Sequence, residues 1–129
     1  MTVRVLVADD QAPFRRAARS VVGATTDFEL VGEAGSGEEA VALVGSLRPD
    51  LVLMDIAMDG IGGIEAARSI ASTFPGTLTI LLSTYREEEL PARAATCGAA
   101  AYVHKSEFSA RVLCELWGSR LTRSRRDRG

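Results

Sequence analysis

Five apolar runs, each followed by a stretch of helical periodicity, constrain this chain more than any other feature. "VRVLVA" (3–8), "FELVGEA" (28–34), "LVLMD" (51–55), "TLTILLST" (77–84) and "AAYVHK" (100–105) read as strands. The second alternates more than the others and is expected to be less buried. After the first, Phe14, Ala17, Ala18, Val21 and Val22 recur at helical spacing, with Pro13 in the first turn. "SGEE" (36–39) is a capping box that opens a helix to about Leu47, and Arg48-Pro49-Asp50 stops it. Ile64, Ala67, Ala71 and Phe74 stripe a third helix, ended by Pro75-Gly76. Glu87 to Cys97 reads as a weaker fourth helix, because Pro91 must fit its first turn, with Gly98 as the cap. Phe108, Val112, Leu113, Leu116 and Trp117 form a last apolar face. Short strands joined by helices pair in parallel through right-handed crossovers, which covers both faces of one sheet. The expected class is α/β.

Composition narrows the setting. The 129 residues are 47% hydrophobic and 25% charged, as in an ordinary globular chain of one domain. No apolar run reaches the length of a membrane span, and the N-terminus lacks the pattern of a secretory signal. Cys97 and Cys114 have neither paired nor metal-ligand spacing, so free thiols in a reducing cytoplasm are expected. Net charge is −2, distributed unevenly. The last ten residues, "RLTRSRRDRG", carry five arginines against one aspartate. Without aromatic interleaving or a binding module, residues 122–129 read as a flexible basic tail, and no direct contact with nucleic acid is expected.

In doubly wound sheets ligands bind beyond the carboxyl ends of the strands, at a topological switch point. The residues there are Asp9 and Asp10 after the first strand, Asp55 on the third, Ser83 and Thr84 on the fourth, and Lys105 on the fifth. Strand two ends in Glu33-Ala34-Gly35 and supplies nothing obvious. Two carboxylates about 4 Å apart repel by roughly 4 kcal/mol at an effective dielectric near 20, so a cation is expected among them. Carboxylate oxygens without nearby His or Cys suit a hard ion such as Mg²⁺, which also serves phosphoryl chemistry. Lys105 is the only lysine against fourteen arginines. A compact ammonium enters a crowded crevice where a planar guanidinium fits poorly.

With Asp9-Asp10, "LVLMDIAMDGIGGIEA" around Asp55, Ser83, and "GAAAYVHK" ending in Lys105, the chain resembles a receiver domain of two-component response regulators over residues 1–121. "KSE" at residues 105–107 resembles the NarL/FixJ-type subgroup. The resemblance implies a flavodoxin-like (βα)5 three-layer sandwich with strand order 2-1-3-4-5. It implies that Asp55 is the phosphoacceptor. Asp10, Asp55 and the backbone carbonyl of Ala57 would hold Mg²⁺, with Asp9 acting through water. Ser83 and Lys105 would contact the phosphoryl oxygens, and Tyr102 would be the switch aromatic. The implied partners are a sensor histidine kinase or a phosphotransfer protein, and a homodimer through the face of the fourth helix, fifth strand and fifth helix. The chemistry is self-phosphorylation and autodephosphorylation, not turnover.

Some positions depart from the family pattern. Asp59 stands where proline is common, and reads as a solvated turn residue. Ser106 stands where proline often follows the lysine, and Ala57 and Tyr85 occupy positions that adjust phosphoryl lifetime. His104, the only histidine, reads as structural because alternation turns it from Lys105. About eight residues follow Leu121, too few for a helix-turn-helix. The expected output is therefore a stand-alone receiver acting through protein contacts. The alternatives are the receiver part of a DNA-binding NarL/FixJ-type regulator and a phosphorylation-independent pseudo-receiver.

Overall fold

A computed structural model describes residues 1–128, with side chains described through Arg120. The elements run β1 (Val3–Ala8), α1 (Ala12–Ala24), β2 (Phe28–Ala34), α2 (Gly37–Leu47), β3 (Leu51–Asp55), α3 (Gly62–Thr73), β4 (Leu78–Ser83), β5 (Ala101–His104) and α4 (Ala110–Arg128). The five strands are parallel and ordered β2-β1-β3-β4-β5. This is the flavodoxin-like order that the resemblance implied, with the topological switch point between β1 and β3.

Strand alternation sorts the core into two layers. Leu6, Ala8, Val52, Met54 and Leu81 face α2 and α3, where Ala40, Val44, Ile64, Ala67 and Ile70 cover them. Val5, Val7, Leu51, Leu53, Ile80 and Leu82 face the other way, against Ala18 and Val22 of α1 and Leu113 of α4. All five residues of β3 are buried, since it lies mid-sheet with a helical layer on each side. Full burial of each such aliphatic side chain contributes about 1.5–3 kcal/mol, so these two layers dominate the stability of the domain.

Local chemistry sets the helix ends. The Ser36 side chain accepts a hydrogen bond from Glu39 N–H at 3.2 Å, capping α2. Gly63, at the start of α3, donates its N–H to the Ile56 carbonyl at 3.0 Å. A Cβ there would sit 1.9 Å from the Asp55 carbonyl oxygen, so only glycine lets α3 begin this close to the end of β3.

The fourth crossover differs from the expected helix. In place of an α-helix over 87–97 the chain makes two 3₁₀ turns, Glu87–Glu89 and Ala92–Thr96. Leu90 N–H bonds to the Glu87 carbonyl and Ala94 N–H to the Pro91 carbonyl. Pro91 has no N–H to give, and its ring collides with the carbonyl four residues back in an α-helix. Leu90 and Ala94 are only half-buried, so packing offers little to offset those costs. At the other end, α4 passes without interruption through the boundary expected at Leu121. Among the described residues no helix is long and apolar enough to cross a membrane.

Gly63→Ala should lower stability by about 3 kcal/mol, read as a shift of the urea midpoint. Gly118→Ala, in α4 with open space around it, should raise stability by about 0.5–1 kcal/mol in the same assay.

Candidate phosphoryl-transfer site

The sheet register brings the strand ends together. Ala8 of β1 pairs with Met54 of β3, so Asp9 and Asp55 follow side by side. Asp55 pairs with Leu82, and Ser83 with His104, which sets Ser83 and Lys105 on the same edge. One carboxylate oxygen each from Asp9, Asp10 and Asp55 lies within 4.8 Å of the others. Asp9 and Asp55 are buried and Asp10 is exposed.

Lys105 reaches into this cluster. Its Nζ is 2.6 Å from Asp9 Oδ2 and 3.6 Å from Asp55 Oδ1. It also lies 4.4 Å from the centre of the Phe14 ring, which gives a second favourable contact to the cation. Asp9 is fixed further by Gln11 N–H, which donates to its Oδ1 at 2.8 Å. Its Oδ2 is fully buried and faces the ammonium, yet receives no directed hydrogen bond. Beside the outer-lying role expected for Asp9, the structure makes it the most enclosed carboxylate of the three, and Lys105's nearer partner.

Asp55 carries the electrostatic cost. Burial first, then the charge of Asp9 and more weakly that of Asp10, hold its carboxyl above the ordinary value of 3.8, at about 6. Lys105 and the N–H of Ala57, 3.4 Å from Oδ1, oppose the rise. An oxygen-only donor set, a buried oxygen without a directed donor and a carboxyl raised by its neighbours fit a hard divalent cation.

On the neighbouring strands, Ser83 is buried and its Oγ accepts the Tyr85 N–H at 3.0 Å. Tyr102, half-buried on β5, donates its hydroxyl to the backbone carbonyls of Ser83 and Tyr85. Burial pushes the Tyr102 hydroxyl pKa upward. His104 accepts the Ser106 N–H on Nδ1 at 3.1 Å and meets the Thr84 carbonyl through Nε2 at 2.8 Å. That pairing defines the neutral tautomer with its proton on Nε2, and it ties the ends of β4 and β5 together. Thr84 and Asp59 are exposed, and Trp117 packs on the α4 side of the core with Arg120 over its ring.

Strand two does supply a group. Glu33 forms ion pairs with Arg15 at 3.4 Å and Arg19 at 2.6 Å, and Arg15 Nη1 donates to the Asp9 carbonyl at 2.7 Å. The available sequence signal was the four-residue spacing of Arg15 and Arg19, which sets both on one face of α1.

This geometry has relatives. Residues 5–116 match the family described as the response regulator receiver domain. The chain is 41% identical over 103 residues to the transcriptional regulatory protein YxjL of Bacillus subtilis, covering 80% of this chain and 47% of that protein. It is 37% identical over 106 residues to the response regulator protein VraR of Staphylococcus aureus, covering 82% and 51%. The solved receiver domain of the putative response regulator NarL from Mycobacterium tuberculosis superposes with a TM-score of 0.80 at 30% identity, over 91% of this chain and 98% of that one. The chain belongs to the receiver domains of two-component response regulators, and these relatives support the NarL/FixJ-type subgroup. It spans about half the length of the curated relatives it matches.

The raised Asp55 carboxyl gives a signed expectation. The folded state holds that proton more tightly than the unfolded chain, so stability is fully present below about pH 4 and is lost as pH rises through about 6. A displacement of that size is worth roughly 3 kcal/mol at most. In metal-free buffer, Asp55→Asn should flatten this part of the stability–pH curve and raise the melting temperature at pH 7.5. Wild-type and variant curves that run parallel between pH 4 and 6 would contradict the assignment.

Proposed function

We propose that this domain is a phosphorylation-dependent switch with Asp55 as its phosphoacceptor. The observation that carries the reading is three converging carboxylates faced by a single ammonium, Lys105. When all are ionised that group is two positive charges short of neutrality, the charge a dication brings. Asp10, Asp55 and the backbone carbonyl of Ala57 would hold Mg²⁺, with Asp9 acting through water. Mg²⁺, when bound, supplies neutralisation of negative charge on the transferring phosphoryl group.

The protein's own groups do the rest. A carboxylate oxygen of Asp55 attacks the phosphorus of a phosphohistidine on a sensor histidine kinase or phosphotransfer protein. The P–N bond breaks, the imidazole leaves with its electron pair, and an acyl phosphate forms on Asp55. Lys105 moves toward the new phosphoryl oxygens, and the Ser83 hydroxyl, now bonded to Tyr85 N–H, turns to donate to them. Because Tyr102 holds the carbonyls of Ser83 and Tyr85, displacement of that loop frees its hydroxyl and alters the surface of the 87–97 crossover, β5 and α4. Water later cleaves the acyl phosphate and resets the switch, so the domain signals and does not turn over a substrate.

Two outputs fit that surface. A receiver in the cytoplasm can signal through protein contacts alone, including a homodimer through the altered face. The relatives favour a second output, because YxjL is a transcriptional regulatory protein of which the matched residues make up only 47%. In that reading the domain is the receiver part of a DNA-binding NarL/FixJ-type regulator. The length of the native open reading frame separates the two.

Incubation with Mg²⁺ and acetyl phosphate should add one phosphoryl group by intact mass. The addition should be absent in Asp55→Asn and after chelation. Unmodified wild-type protein that also fails to bind beryllofluoride would establish a phosphorylation-independent pseudo-receiver instead.

A further inference from the structure

Resting on the cation site of that reading, we propose that the Glu33–Arg15 pair is a positioning device that sets the affinity of the aspartate cluster for a divalent cation. Its point of action is the peptide group between Asp9 and Asp10. That group's carbonyl accepts the Arg15 guanidinium at 2.7 Å. The N–H of Asp9 is bonded to the Ala34 carbonyl of β2 at 2.9 Å, and Gln11 N–H holds the Asp9 side chain. The backbone leading into Asp10 is thereby held from both neighbouring elements, β2 and α1.

Asp10 itself has no hydrogen bond or ion pair among the described contacts, so nothing but its backbone aims its carboxylate at Asp9 and Asp55. Arg15 is in turn aimed by Glu33, which Arg19 grips through both Nε and Nη2, at 2.9 and 2.6 Å. The chain of contacts runs from the end of β2, across α1, to the one carboxylate of the cluster that faces solvent. Arg15 and Glu33 are each about three-quarters buried, enough for a fixed geometry without the cost of full desolvation. Partners that orient metal ligands from behind commonly change metal affinity by 10–100-fold when removed.

Charge alone predicts the opposite sign, which makes the proposal testable. A guanidinium beside three carboxylates repels an incoming cation, so its loss would strengthen binding if Arg15 acted only through its field. Loss of positioning weakens binding. Mg²⁺ titration by calorimetry, at fixed ionic strength and pH 7.5, should show Arg15→Ala binding about tenfold more weakly than wild type. Glu33→Gln should weaken binding less, and the Arg15→Ala/Glu33→Gln double variant should match Arg15→Ala, because Glu33 acts through Arg15. Arg15→Lys, which keeps the charge but reaches one acceptor as a point charge, serves if Arg15→Ala does not fold, and should also bind more weakly. Unchanged or tighter Mg²⁺ binding by a folded Arg15 variant overturns the proposal. Wild-type protein that binds no Mg²⁺ would instead overturn the cation site on which the proposal rests.

Discussion

The adjacency of β1 and β3 is the constraint from which the site follows. β2 lies on one side of β1 and β3 on the other. Right-handed crossovers then place α1 and α2 on opposite faces, so the carboxyl ends of two covered strands lie together. Asp9 and Asp55 are then held about one strand spacing apart and out of water. The hydrophobic layers make that arrangement affordable, because many buried aliphatic side chains outweigh the few kcal/mol of like-charge repulsion. Lys105, arriving from β5 across β4, is the internal answer to the remaining negative potential. The molecule stores electrostatic tension at one edge and anchors it with packing everywhere else.

Most of the frame was legible in the sequence because it depends on periods of two and of 3.6. The strands, their parallel pairing and the residues at their ends follow from local pattern and from the rule for ligand position. The strand order needed the likeness to receiver domains. What the sequence did not carry were features decided by competition or by reach. The 87–97 crossover had helical spacing at Leu90, Ala94 and Cys97, but Pro91 outweighed it. The preference of Lys105 for Asp9 over Asp55 turns on about 1 Å, which no spacing rule resolves. Glu33 reads as supplying nothing in the sequence because its link to Asp9 runs through the long Arg15 side chain on a third element.

Two tethers join the site to the surface. Tyr102 binds the backbone after β4 through its hydroxyl, and His104 binds Thr84 one residue earlier. Both lie on β5, yet both grip the loop that follows Ser83. The backbone just after β4 is therefore bonded to β5 through these side chains as well as through the sheet.

The irregular crossover has an energetic meaning of its own. Its backbone is held by single i-to-i+3 bonds, and most of its residues face water. Segments of that kind open at a small fraction of the free energy needed to unfold the domain. The part of the surface closest to the tyrosine tether is thus a soft part of the fold, set beside well-packed strands and helices. That softness makes it an early stretch for a protease or a deuterium label to find.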